Sequence, residues 1–191
     1  MPRSGAEARD RLERGALELY IERGYDQTTI ADIAARAGVT QRTYFRHFPD
    51  KREVLFSVES RQQQALADAL AEVASSAPPL AAVLQAFRSM APALEDNRPL
   101  AVARHRVISV TPALRERELM KEAALGAVVA DALRQRGLSE WSATLLAQVT
   151  TAALGHAIHT WVADRNSDIN DLIVQAFTDL GEFASSHLGP R

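Results

Sequence analysis

Between Ala37 and Lys51 the chain reads Ala-Gly-Val-Thr-Gln-Arg-Thr-Tyr-Phe-Arg-His-Phe-Pro-Asp-Lys, and this short segment concentrates groups that can read a duplex. Arg42 can make a bidentate contact to guanine and Gln41 to adenine, and the Thr43 methyl can pack on a thymine methyl. Thr40 and Gln41 sit at the tip that a recognition helix inserts first into the major groove. On a helix, Tyr44 and Phe48 lie four apart and form an inner, mostly core face. Arg42, Thr43 and Arg46 point the other way. From Arg36 to Arg52 the cations Arg36, Arg42, Arg46, Lys51 and Arg52 face Asp50 alone.

The whole chain supports a local rather than a general basic surface. It has 191 residues with a net charge of −2. Residues 1–52 carry ten basic and eight acidic side chains, whereas residues 53–191 carry twelve basic and sixteen acidic. Phosphates would draw the first part and repel the second. Zero cysteines exclude a disulfide scaffold, a thiolate zinc site and a Cys nucleophile. No Gly-rich phosphate loop, nucleophile elbow, His-Glu-x-x-His pair or paired carboxylates mark an active site, so no enzyme and no cofactor are expected. His156 and His159 are i, i+3 on one helix face, but without a carboxylate or Cys beside them no metal is expected. Every apolar run is broken by polar residues short of the ~18 needed to span a membrane, and the N-terminus lacks a signal-peptide core, so a cytoplasmic protein with no membrane partner is expected.

The elements that position these residues are helical throughout. Strand alternation is absent, helix formers dominate, and breakers divide the chain into nine expected helices. The first runs from about Ala6 to Arg23 on a stripe of Leu12, Ala16, Leu19 and Tyr20, and Gly24 stops it. Thr29 caps the second, with Asp32 as a variant capping box, and Gly38 ends it. A third short helix covers about Thr40 to His47. A short helix, a tight Gly turn and a second short helix are the signature of a helix-turn-helix. The fourth helix is expected from Lys51 to Ser75, capped by Asp50, with Val54, Leu55, Val58, Leu66, Leu70 and Val73 inward.

The stretch GYDQTTIADIAARAGVTQRTYFRHFPDKREVLF resembles the N-terminal domain of the TetR family of bacterial transcription regulators. The resemblance rests on the Gly24-Tyr25 turn, Thr28-Thr29, Asp32-Ile33-Ala34, Ala37-Gly38-Val39, Thr43, Phe48 and Lys51, and covers about the first third of the chain. It implies that His47 and Lys51 bind phosphate, and the first amides of the second helix, after Thr29, are placed to do the same. Phe45 departs from the family pattern: it stands where many members carry Tyr and cannot donate a hydroxyl to phosphate. Tyr44 is a candidate to compensate, and Arg3 and Arg9 are further candidates for the backbone or minor groove.

The remainder resembles the family in architecture. The eighth helix, from Ser139, is apolar on nearly every face, and the ninth, from Asp168, is broadly so. A helix apolar all round needs partners on each side, which points to a four-helix interface between two copies. Ala153, Gly155, His156, Trp161, Ile173 and Phe177 are its candidates. A ligand cavity is implied among helices four to eight, with Phe56, Phe87, Met90, Arg104, His105, Ile108, Met120, Leu125, Thr151, Leu154 and Ile158 as candidate lining; Met and Phe suit an adaptable, apolar or acyl effector.

The sequence thus predicts an all-α protein with a helix-turn-helix domain at residues 1–50 (motif about 30–49). A helical ligand-binding and dimerisation domain follows at 51–191, with 51–75 connecting the two. The expected function is a homodimeric regulator, most simply a ligand-released repressor on a palindromic double-stranded DNA operator. The alternative is a small-molecule-binding helical dimer with vestigial DNA binding.

Overall fold

The computed structural model describes residues 5–56 and 59–187, without the side chains of residues 59, 60, 186 and 187. Arg3 and Val58 therefore lie outside the described residues, as does the His187 side chain. The described residues form nine α-helices and no strand: α1 (Gly5–Arg23), α2 (Ile30–Arg36), α3 (Gln41–His47), α4 (Glu59–Glu72), α5 (Pro79–Asp96), α6 (Arg98–Val110), α7 (Pro112–Gln135), α8 (Glu140–Ala163) and α9 (Ile169–His187), with a 3₁₀ turn at Glu53–Leu55. They make two compact units, Met1–Ser60 with Val102–Leu119, and Arg61–Ala101 with Met120–Arg191.

In the first unit, α1 buries Leu12, Ala16, Leu19 and Tyr20. Gly24 ends it at φ 84°, a conformation glycine adopts without a Cβ penalty. The Thr28 hydroxyl closes the turn by donating to the Gly24 carbonyl at 2.8 Å. Thr29 and Asp32 form the expected reciprocal capping box at the start of α2. Gly38, at φ 66°, closes the helix-turn-helix turn: its N–H reaches the Ala35 carbonyl at 3.0 Å and the Val39 N–H reaches that of Ala34 at 2.9 Å. This is a Schellman cap. Thr40 then caps α3.

The chain after α3 departs from the expected long helix. Asp50 does cap, its carboxylate accepting from the Arg52 and Glu53 N–H groups at 2.7 and 3.1 Å, but what it opens is the 3₁₀ turn. That turn folds Val54, Leu55 and Phe56 inward as three consecutive buried residues. Nor is the core of this unit confined to the N-terminal residues. Val107, Ile108 and Leu114, from the adjoining ends of α6 and α7, join Leu12, Ile33, Tyr44 and Phe48 in it. Arg117 makes a two-pronged pair with Glu53 at 2.6 and 3.1 Å, and Arg104 donates to the Leu55 carbonyl at 3.2 Å. Three short helices have too little apolar surface for a core of their own, and these ends supply the rest. Thr111 does not cap α7 with its side chain: its hydroxyl donates back to the Val107 carbonyl at 2.9 Å.

The second unit packs α8 on α9 and both on α5. Its core includes Leu66, Leu70, Phe87, Val129, Leu133, Leu154, Trp161, Ile173 and Phe177. Pro92 lies inside α5 and does not end it. One polar network fastens α5 and α6 to the α8–α9 turn. The Glu95 carboxylate accepts from the Trp161 indole N–H at 2.7 Å and the Ile169 N–H at 3.1 Å. Arg98 lies over the Trp161 ring and donates to the carbonyls of Trp161 at 2.7 Å and Ser167 at 2.8 Å. Glu95→Ala strips two donors of their acceptor, at a cost of roughly 1–3 kcal/mol. At about 2–4 °C per kcal/mol for a chain this long, thermal unfolding followed by circular dichroism should show a midpoint lowered by about 2–12 °C.

Candidate nucleic-acid interface

α3 has seven residues and two faces. Inward, Tyr44 is fully buried and Phe48 nearly so, their rings 5.5 Å apart. Outward, Gln41, Arg42, Phe45 and Arg46 are exposed along one arc. Thr43 is half-buried beside them, its N–H capped by the Thr40 hydroxyl at 3.2 Å.

Three of the expected contacts take other roles. Tyr44 is corrected to the core: its hydroxyl donates to the Asp50 carbonyl at 2.9 Å, and burial, then the Asp50 charge, pushes its phenol well above the usual range. It reaches no outer surface and cannot replace the hydroxyl that Phe45 lacks. Thr29 is committed to α2, its hydroxyl and its N–H both donating to the Asp32 carboxylate at 2.7 and 3.0 Å. Lys51 donates to the carbonyls of Tyr25 at 3.0 Å and Thr28 at 3.3 Å, 4.1 Å above the Tyr25 ring, which leaves one N–H for other partners.

The cations around α3 also separate into paired and open groups. Arg36 binds Glu22 with both nitrogens, at 2.9 and 2.7 Å, and Glu18 at 3.1 Å. Arg52 pairs with Asp50 at 2.9 Å, and Arg9 with Glu13 at 3.3 Å. Among the described residues no carboxylate pairs with Arg42 or Arg46. The basic cluster of the sequence therefore contracts to these two guanidiniums, with Gln41 and Thr40 beside them. Such an arc can donate to base edges and phosphates in a groove.

His47 is half-buried at the end of the arc, with Nε2 buried and unpartnered among the described residues. Burial, then Arg46 and Arg9, holds its pKa below the ordinary value of 6.5.

Elsewhere the candidate residues scatter. Of the cavity candidates, Phe56, Arg104, His105 and Ile108 belong to the first unit and the other seven to the second. Phe56 and Ile108 are core there, and Arg104 is bound to the Leu55 carbonyl, its charged form disfavoured by burial against the pull of Glu118 and Glu13. Phe87 and Leu154 are core in the second unit, with Met90, Leu125 and Ile158 packed against them. The Thr151 hydroxyl is buried, opposite Gly126, with no hydrogen-bond partner among the described residues. Met120 is corrected to a surface residue, 62% exposed.

Of the six expected between copies, Trp161, Ile173 and Phe177 are buried within the protomer, Phe177 edge-on to Phe87 at 6.0 Å. Gly155 looks toward Glu122 of α7, Ala153 is half-buried, and His156 is exposed. Instead, α8 leaves Trp141, Leu145, Val149, Ala152 and His156 open on one stripe, with Trp141 74% and Val149 38% exposed. His156 and His159 are both exposed, and among the described residues no three metal-binding side chains gather. No described helix is long and apolar enough to cross a membrane.

A capped helix-turn-helix carrying an open cationic arc, followed by a helical unit, is the build of a bacterial regulator. Residues 14–58 match the bacterial regulatory proteins of the tetR family, and residues 77–184 match the MftR C-terminal domain. The chain belongs to the TetR family of transcriptional regulators. It is 37% identical over 112 residues to the regulator TcmR of Streptomyces glaucescens, covering 56% of this chain and half of TcmR. It is 27% identical over 172 residues to the putative mycofactocin biosynthesis regulator MftR of Mycobacterium tuberculosis, covering 87% of this chain and 85% of MftR. In fold it is similar to FadR of Thermus thermophilus, a TetR-family repressor solved with lauroyl-CoA. The TM-score is 0.64 at 23% identity, over 96% of this chain and 98% of FadR.

The depressed pKa of His47 carries a stability consequence. A base held below its unfolded value binds fewer protons when folded, so acid favours the unfolded chain. Stability should fall as pH drops through about 6.5 towards the lower folded pKa. His47→Gln should flatten that part of the profile, measured as thermal midpoints from pH 7.5 to 5.

Proposed function

We propose that this protein is a ligand-released repressor that binds a palindromic operator as a homodimer, each protomer presenting α3 to one major groove. The observation that carries the reading is the open charge of Arg42 and Arg46 on the only face of α3 that the core leaves free. The rival, a ligand-binding dimer with vestigial DNA binding, gives no reason for two unpaired arginines to stand side by side there. The organisation proposed is a reading domain at residues 1–50 and a ligand-binding and dimerisation domain at 51–191, in a cytoplasmic protein. Two half-sites read on one face of the duplex lie about 34–36 Å apart per helical turn. An effector that prefers another spacing would release DNA by population shift. FadR, solved with lauroyl-CoA, supports an apolar or acyl effector.

The α8 stripe supports the dimer. Trp141, Leu145, Val149 and Ala152 follow the i, i+4, i+8, i+11 spacing of a helix seam, and a second copy would cover them. Val149→Arg would bury an unpaired charge at about 3–5 kcal/mol. Sedimentation at micromolar concentration should then show the variant near 20.9 kDa and the wild type near twice that. A monomeric wild type that binds operator tightly would defeat the dimer.

Binding should be steep in salt. If the two protomers neutralise about four to eight phosphates, log K falls by about 0.9 per phosphate against log salt. Fluorescence titration with the promoter DNA flanking its own gene tests this, and an affinity indifferent to salt would count against the arc. Arg42→Ala should relax sequence preference by about 1–3 kcal/mol per lost bidentate contact. Lys51→Ala should weaken all sequences alike and also lower the melting midpoint, because Lys51 holds the Tyr25 and Thr28 carbonyls.

A further inference from the structure

The open face of α3 is not wholly polar. Phe45 stands on it, 54% exposed, on the same arc as Gln41, Arg42 and Arg46. Its ring is edge-on to that of buried Tyr44, with centroids 5.8 Å apart and planes at 82°. A single exposed aromatic needs no explanation on an ordinary surface. This one lies next to Arg46 and one turn from Gln41 and Arg42, so whatever those side chains meet, Phe45 meets as well. It has no donor or acceptor, and neither a phosphate nor a polar base edge rewards its contact. In the major groove the complementary group is apolar, and the one such group that distinguishes a base is the C5-methyl of thymine.

We propose that Phe45 is a specificity-determining residue that reads the C5-methyl of one thymine in each half-site. The inference rests on the operator-binding reading above. The Tyr44 hydroxyl is held by the Asp50 carbonyl and its ring supports the flank of Phe45, so the Phe45 ring is placed before DNA arrives. This arrangement gives the reading helix two kinds of readout on one arc: hydrogen bonds from Arg42 and Gln41, and an apolar contact that selects thymine over cytosine at the same groove position.

The test uses the full-length protein and a duplex selected by it from a random-sequence pool. Each thymine in turn is replaced by deoxyuridine in both half-sites, which removes the methyl and leaves pairing intact. One symmetric pair should lose about fourfold in affinity per half-site and about sixteenfold in all, the loss expected for one apolar carbon. Phe45→Ala should weaken binding of the thymine duplex by a similar factor and abolish the thymine–uracil difference at that pair. Phe45→Leu, which keeps an apolar contact, should retain most of the difference, and circular dichroism should show both variants as helical as the wild type. A thymine whose uracil penalty persists in Phe45→Ala is read by another residue, such as Thr43. If every methyl-sensitive thymine behaves so, or none is methyl-sensitive, the assignment of Phe45 is overturned while operator binding stands. A pool that yields no enriched duplex overturns the operator reading and this one with it.

Discussion

The geometry of the reading surface depends on the burial of two rings, Tyr44 and Phe48. A helix of seven residues is far below the length that is stable by itself in water. What holds α3 is its aromatic inner face, pressed into a core shared with α1 and α2. The polar ends of the same core fix its rotation. Tyr44 ties α3 to the Asp50 carbonyl, the Tyr20 hydroxyl reaches the Lys51 carbonyl at 2.6 Å, and the Lys51 ammonium holds the turn between α1 and α2. With those bonds made, the four exposed residues of α3 can face only one way. Gly15 lets α1 lie close to α2: an added Cβ would stand 3.0 Å from Arg36 Cγ, and that side chain would have to shift by a few tenths of an ångström.

Charge pairing then decides what that face offers. Five cations lie from Arg36 to Arg52, yet three are withdrawn from open display, two by tertiary contacts and Arg52 by its near neighbour Asp50. Arg36 is clasped by Glu18 and Glu22, Arg52 by Asp50, and Lys51 by backbone carbonyls. Arg42 and Arg46 stand where no acidic side chain of α1 or α2 pairs with them. Surface pairs such as Arg36–Glu22 contribute little to stability. Their larger consequence is to narrow the attractive surface to one helix.

The second unit follows a comparable rule on a larger scale. α8 is apolar on almost all sides, and the protomer covers only part of it. Trp161 goes inward because its indole N–H finds the Glu95 carboxylate and its ring finds Arg98. Among the described residues, the face bearing Trp141, Leu145 and Val149 has no such partner.

Much of this was legible in the residues alone. Helical periodicity, the Gly24 and Gly38 stops, the Thr29–Asp32 cap and the inward pairing of Tyr44 with Phe48 are local rules, set by backbone sterics and hydrogen bonds over three or four residues, and the local sequence determined them. What it could not settle were matters of distance along the chain. The 3₁₀ turn after Asp50 is dictated by the pull of Val54, Leu55 and Phe56 into a core completed by Ile108 and Leu114, more than fifty residues away. The burial of Trp161 depends on Glu95, sixty-six positions earlier. Whether a cation is open or paired, and whether an apolar residue faces its own core or a free surface, depends on neighbours that only folding brings together. Periodicity marks the faces of a helix, but tertiary packing chooses which of them is covered.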